Sequence, residues 1–469
     1  MVFGILAVAL PPAAHAAPGD WPTARGNAQR TGNVDGKPGP TAPKVLWAQK
    51  GTEHYLASPA AGSGTIYLSS LGAFNASNVV ALKTGATEAK RVAWGKSTPY
   101  LKLPVASAPA VSGGYVVFGD GMHQTSGAIL HCLRADTGQM TWQYAVPGDL
   151  VHMEGSPTIA DGRVFIGAGN AGVICVDLNR VTLEGKELEL AAVKEILDKK
   201  WKELLAKYEE DKKKDPDFAV PPSENDLPKP APKLVWQQGK DKWHVDAAVN
   251  VVGDKVLVAT AYLDEEKQGE RAIYCLSAKD GSTLWKQPLK FNPWAGASVA
   301  DGVVVVAGSN IRFDPKLAPQ GQGEVAGFGL ADGKPRWAPR PVKGGVVSPV
   351  ALQGGLAVFT ATDGKLRAIN LADGRLKWTY DAKAPFFAGA AVTSSAAYAA
   401  DLKGVVHAMN LSDGKQHWTV DLGTDPAVKA PGMVYGSPIV DGGRLYVATC
   451  NVEGDNSRQA TAVVCIGER

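Results

Sequence analysis

One hairpin turn is written repeatedly along this chain. The pattern Asp-Gly-x-x-x-Trp occurs at Asp280-Gly281 to Trp285, Asp332-Gly333 to Trp337, Asp373-Gly374 to Trp378 and Asp413-Gly414 to Trp418. Asp136-Thr137-Gly138 to Trp142 is the same turn with one residue added. Looser copies precede Trp94 and Trp236, and Trp47 keeps the flanks of the pattern without its turn. Successive Trp stand 40 to 52 residues apart, except for one gap of 94. The turn chemistry is that of a β-hairpin, since Asp can bond its own backbone and Gly accepts the positive φ a tight turn demands. A fixed period of this length means a repeat architecture.

Each unit adds three strand signals. A Ser-Pro-like start appears at Ser58-Pro59, Ala108-Pro109, Ser156-Pro157, Ser348-Pro349 and Ser437-Pro438. A β-branched and aromatic run follows, as in Tyr115-Val-Val-Phe and Val303 to Val306. A third apolar run precedes the turn and carries a small residue in register: Ala81, Cys132, Cys175, Cys275, Gly327, Ala368, Ala408 and Cys465. Four short strands per roughly 45 residues describe a propeller blade. Trp47, Trp94, Trp142, Trp236, Trp285, Trp337, Trp378 and Trp418 number eight units. Tyr435 to Ile466 has three strands and no Trp strand, and Lys44 to Gln49 has a Trp strand and nothing else. Joining the two completes blade eight and removes the free sheet edges. The fold expected is an all-β, eight-bladed propeller over residues 44–469, behind an extension over 17–43.

Val2 to Leu10 is apolar, Pro11-Pro12 breaks it, and Ala14-His15-Ala16 suits a signal-peptidase cut. Residues 1–16 therefore read as a signal peptide and the mature chain as periplasmic or secreted. Lys+Arg 49 against Asp+Glu 46 leaves a net +3, which excludes a general nucleic-acid binder. No apolar run reaches the ~20 residues of a membrane span. The five Cys include no vicinal or Cys-x-x-Cys pair, so neither a disulfide framework nor a thiolate metal site is expected. Nucleophile-elbow, zinc-protease, P-loop and dinucleotide fingerprints are missing too, and no catalytic residue is assigned.

The Trp turns, the closure and the Trp21-Pro22 to Gly32 lead-in resemble the PQQ-like repeat. That repeat builds the eight-bladed propellers of quinoprotein alcohol dehydrogenases and of the BamB-type outer-membrane assembly factor. The resemblance implies the fold and leaves function open, because one fold hosts many sites. The dehydrogenases it resembles use a Cys-Cys disulfide, a catalytic Asp and a Ca²⁺ held partly by Glu and Asn. None of these is matched here, so PQQ is not expected as a cofactor. The resemblance favours a non-catalytic, exported protein-interaction scaffold, with envelope or outer-membrane protein assembly as the role it suggests. The alternative is a periplasmic quinone- or metal-dependent oxidoreductase with its site in the funnel.

Inner strands of a propeller line its channel, and residues two and four before each Ser-Pro share a side. Blades three and four then present His152-x-Glu154 and His244-x-Asp246, two imidazoles and two carboxylates that could hold a divalent metal. His54, Trp294, Phe386 and Tyr435 fall at equivalent positions and form the expected ligand funnel, with Phe387 beside them. Residues 179–233 interrupt blade three. Leu190, Val193, Leu197, Trp201, Leu204, Leu205 and Tyr208 recur at helical spacing, and a Pro-rich return follows. A protein partner is expected at the top loops or at this helical arm, 186–212. The protein is expected to be a monomer.

Overall fold

The structure is a computed structural model describing residues 21–33, 38–72, 76–123 and 125–469. The signal-peptide reading of residues 1–16 lies outside them. Eight antiparallel sheets form the blades, and their innermost strands adjoin one another in chain order. Blade one shows the plan: Ala60–Gly62 innermost, then Thr65–Leu71, Ser77–Lys83 and, outermost, Val92–Lys96. Blade eight joins the two ends of the chain. Ile439–Asp441, Arg444–Ala448 and Thr461–Glu468 come from the C-terminal segment, and Pro43–Gly51 is its outer strand, with Trp47 opposite Cys465.

The Trp turn works across blades. In seven blades the indole Nε1 donates to a carbonyl at or just after the third strand of the next blade, among them Trp94 to Ala135, Trp285 to Leu330 and Trp378 to Leu411, at 2.8 to 3.3 Å. Trp418 donates to Pro40, ahead of the closing strand, at 3.0 Å. The turn glycine of the following blade lies flat on the same ring. A Cβ on Gly138, Gly281, Gly333, Gly374 or Gly414 would fall 2.6–2.8 Å from Trp94, Trp236, Trp285, Trp337 or Trp378 respectively. Glycine is required there twice over, for a φ of +65 to +74° and for the ring above it.

The small-residue position also follows from the Trp. Ala81, Cys132, Cys175, Cys275, Gly327, Ala368, Ala408 and Cys465 are each paired with the Trp of their own blade, beside a register shift. At the tightest copy a Cβ on Gly327 would overlap the Trp337 ring. All five cysteines are buried and free.

Residues 21–33 close one end of the channel. Their carbonyls accept from inner-strand amides in turn: Trp21 from Ala61, Pro22 from Val111, Ala28 from Val251, Gln29 from Val299, Thr31 from Leu352 and Gly32 from Val392, at 2.6–3.0 Å. Arg30, fully buried, ties this plug to blades three and four through the carbonyls of Ser156, Pro157 and Val249 and the Thr158 hydroxyl. The channel is thus a blind funnel.

The interruption of blade three adds a strand, Lys186–Glu189, and a helix, Leu190–Lys214, before the outer strand Ala231–Gln238. Leu190, Val193 and Leu197 are buried with Leu178 and Val181 in the core that runs through blades one to three, and Trp201 and Leu204 pack against it. The first half of the helix therefore covers the propeller's own wall. Leu205 is exposed, and in the return segment Phe218 and Val220 are each 81% exposed.

Two outcomes test this account. Deleting Pro43–Gly51 bares the edge of Thr461–Glu468 and should replace the cooperative thermal melt with aggregation. Gly374→Ala should cost about 2–5 kcal/mol in urea unfolding, combining left-handed backbone strain with overpacking on Trp337. Gly354→Ala, at a φ of +58° with open space around it, should cost only about 1–2 kcal/mol. Equal costs would remove the ring contact from the explanation.

Candidate functional site

At the open end the inner strands and the loops above them enclose a cavity of about 570 Å³. The loops come from the blades whose second-to-third-strand connections are long: His123 from blade two, Arg312 to Asp314 from blade five, Val452 and Glu453 from blade eight. The plug forms the floor, where Ala24 and Arg25 meet Ser156, Ser348 and Ser437 at the Ser-Pro starts of the inner strands.

The wall of blades three and four brings the two predicted His together at one oxygen of Asp246. His152 Nε2 and His244 Nε2 each stand 2.8 Å from Asp246 Oδ1. Only His152 meets it in hydrogen-bond geometry, and the His244 nitrogen is left buried without a partner. His244 is oriented from its other side by Asn170, Nδ1 to Oδ1 at 2.8 Å. Arg312 donates to the second oxygen of Asp246 at 2.8 Å, and its guanidinium lies over the Trp294 ring, 4.1 Å from the centroid. Glu154 turns the other way and accepts the backbone N–H of His123 at 2.6 Å, its carboxylate 3.9 Å from His152. His152 and His244 are wholly buried, so Glu154 and Asp246 are the members of the set that face the cavity.

His123 completes the cluster. Its ring lies edge-on to those of His152 and His244, and the three residues can bring one ring nitrogen each within 4.8 Å of one another. Nδ1 of His123 and Nδ1 of His152 are buried and unpartnered. Nε2 of His123 sits 3.0 Å from Glu266 Oε1 on the loop of blade four. Three imidazoles and a carboxylate form a donor set suited to Zn²⁺, Cu²⁺ or Ni²⁺.

Of the expected aromatic funnel, Trp294 and Tyr435 line the cavity. Tyr435 donates to Glu453 at 2.9 Å and meets Phe387 edge-on. The cavity face belongs to Phe387. Phe386 points into the core between blades six and seven, against His407. His54 sits at the seam of blades one and eight, its Nδ1 accepting the Asn451 amide at 3.0 Å, and is not part of the lining. Sequence reading missed His123, Arg312 and Arg25. The first two stand on loops outside the repeating register, where no alignment of blades reaches them. Arg25 has only the lead-in around it as a signal.

The family model described as outer membrane protein assembly factor BamB matches residues 40–199, 229–317 and 273–454. Solved structures of similar fold include BamB from Moraxella catarrhalis, 14% identical with a TM-score of 0.57, covering 90% of this chain and 97% of that one. The quinohemoprotein alcohol dehydrogenase ADHIIG from Pseudomonas putida HK5 is 13% identical with a TM-score of 0.67, covering 96% and 80%. A europium-containing methanol dehydrogenase is 14% identical with a TM-score of 0.61, covering 96% and 98%. No curated protein matches the chain in sequence. The residues around this funnel do not fit a quinone cofactor of the dehydrogenase kind. None of the five cysteines lines the cavity, so the Cys-Cys disulfide of those enzymes has no counterpart there.

The electrostatics of the wall give a pH signature. Burial opposes a charge on His152, but the hydrogen bond to Asp246 and its charge prevail, so the imidazole pKa is raised. Burial likewise opposes the Asp246 charge, and the adjoining imidazoles outweigh it and hold its pKa well below the carboxylate range. A His whose pKa rises on folding stabilises fully below its unfolded value, about 6.5, and loses that contribution as pH climbs through the folded value. In metal-free buffer the wild type should therefore melt above Asp246→Asn at pH 6, and the gap should narrow as pH rises to 8. A gap independent of pH would show that the pair is not charged in the folded protein.

Proposed function

This chain belongs to the family described as outer membrane protein assembly factor BamB, and we propose that it acts as an exported, ligand-binding propeller whose funnel wall holds a divalent transition metal. The observation that carries this reading is the convergence of His123, His152 and His244 on one another, two of them at Asp246, with an unpartnered buried nitrogen on each ring. Two imidazole nitrogens crowding one carboxylate oxygen is a poor arrangement without a cation, since only one of them can donate well. A metal would take nitrogens from all three rings, and Asp246 would serve as ligand or as the group that orients them. The side of the cluster at Asp246 and His123 adjoins the cavity, so a bound metal would be reachable by a ligand there.

Export to the periplasm or beyond is part of the proposal, supported by the N-terminal sequence pattern and by the family description. A protein-docking role is favoured by a separate observation, the exposed Phe218 and Val220 at the far end of the arm. The two roles are compatible, because arm and funnel occupy different parts of the molecule.

Calorimetric titration of chelator-stripped protein with Zn²⁺ tests the metal. One equivalent should bind, and His123→Ala should weaken binding at least about tenfold. His123 is the suitable target because its side chain is partly exposed, 24%, so its removal should barely change the melt. Failure of the wild type to bind Zn²⁺, Cu²⁺ or Ni²⁺ would reduce the cluster to a hydrogen-bonded wall.

A further inference from the structure

The plug carries two buried arginines, and they are treated very differently. Arg30 is satisfied by backbone carbonyls and the hydroxyls of Thr23 and Thr158. Arg25 is 2% exposed, yet Nε, Nη1 and Nη2 are all buried without a hydrogen-bond partner. Among the described residues no carboxylate pairs with it. Leaving a guanidinium dry and unpaired is costly, and native proteins rarely keep such a group without a use.

Its position is also specified with care. Arg25 holds a φ of +64°, a strained conformation for a residue with a side chain. The backbone on either side is pinned, with Gly26 donating to the Thr23 carbonyl and Gly32 to the Arg25 carbonyl. A Cβ on Gly32 would overlap Nη2, and a Cβ on Gly389 would lie 3.3 Å from Nη1 and 3.2 Å from Ser437 Oγ. The guanidinium therefore lies in a slot made by two glycines, beside Ser437 on the floor of the funnel. Arg30 already anchors the plug, so anchoring does not explain Arg25.

We infer that the funnel floor binds the carboxylate of a small monoanionic ligand with an apolar body, and that Arg25 is its anchor. A planar guanidinium fork matches a carboxylate with two parallel hydrogen bonds. Trp294 contributes a further buried indole N–H without a partner on the cavity wall. The sides above are apolar, with Leu56, Val347 and Phe387 among them, and the volume suits a small molecule. The mouth is acidic, with Glu154, Asp246, Asp314 and Glu453 on it, which disfavours phosphates and polycarboxylates. Arg25 below and an acidic mouth above, where Arg312 engages only Asp246 of the four carboxylates, select a single negative charge borne at the end that enters first. This inference stands on the floor alone and needs no metal at the wall.

The test uses the whole chain given by this sequence, stripped of metal on a chelating resin so that the result is independent of the His cluster. Acetate and phenylacetate are the probes, with phenylphosphate and phenylacetamide as controls, read by thermal shift and calorimetry. The carboxylates should raise the melting temperature, phenylacetate binding tighter than acetate, while the neutral amide and the dianion do little. Arg25→Met should weaken phenylacetate at least about tenfold, and its ligand-free melt should equal or exceed that of wild type, since a dry charge has gone. Should Arg25→Met fail to fold, Arg25→Lys keeps the charge without the fork and should still lose most of the affinity. No carboxylate response in the wild type overturns the proposal, as does a response equal for amide and carboxylate. An Arg25→Met protein that folds and binds phenylacetate unchanged would overturn it as well.

Discussion

The contact on which this molecule depends is a Trp of one blade seated beneath the turn glycine of the next, its N–H donated to that blade's backbone. A blade is a small twisted sheet with little core of its own, and it is stable only when both faces are covered. Each indole can bury about 150–250 Å², several kcal/mol at ~25 cal/mol/Å² before entropy is charged against it. The hydrogen bond adds direction, because it fixes how far each blade is rotated past its neighbour. The small residue opposite each Trp and the register shift beside it belong to the same device, since the indole needs room within its own sheet before it can reach the next. Closure follows because all eight indoles make the hydrogen bond, with Trp47 reaching blade one and Trp418 donating to Pro40 just before the strand that completes blade eight.

Repetition explains the frame and leaves the site free to differ. The turns, the slots and the closing strand were legible in the sequence because they recur and because each obeys a local rule. The reason for the small slot was legible only as crowding, and the pairing register supplies its cause. In the funnel, the repeated His-x-acid at 152–154 and 244–246 pointed to the right wall. Strict alternation failed there, because the chain entering each inner strand is irregular. His152 and His244 turn inward and leave Asp246 and Glu154 at the cavity. The same irregularity exchanges Phe386 for Phe387. His123 and Arg312 could not be inferred from blade alignment, as loop residues share no register with their counterparts.

The plug changes what the channel can be. Six inner-strand amides that would otherwise open into the channel are satisfied by carbonyls of residues 21–33. That segment also supplies the two buried arginines, so the same stretch that seals the base sets the charge at the bottom of the funnel. Burial lowers both arginine pKa values to about 9, with each near enough for the Arg25 charge to disfavour that of Arg30. Two cations so close would strain the base unless something negative lay near. Arg30 finds the negative ends of carbonyl dipoles, and among the described residues Arg25 finds none.

The funnel is therefore polarised along its axis, positive at the floor and acidic at the rim, with an imidazole cluster to one side. A field of that kind admits a ligand in one orientation, because reversing it would set carboxylate against carboxylate at the rim and leave the guanidinium dry. The wall cluster obeys the same logic in miniature. Asp246 is engaged on both oxygens, by Arg312 on one and by His152 on the other, where His244 Nε2 also stands 2.8 Å away. It holds the His rings in place and, through Arg312, keeps the Trp294 face covered. Displacing Arg312 would free that face and one carboxylate oxygen together, so the metal-binding wall and the aromatic wall cannot be altered independently.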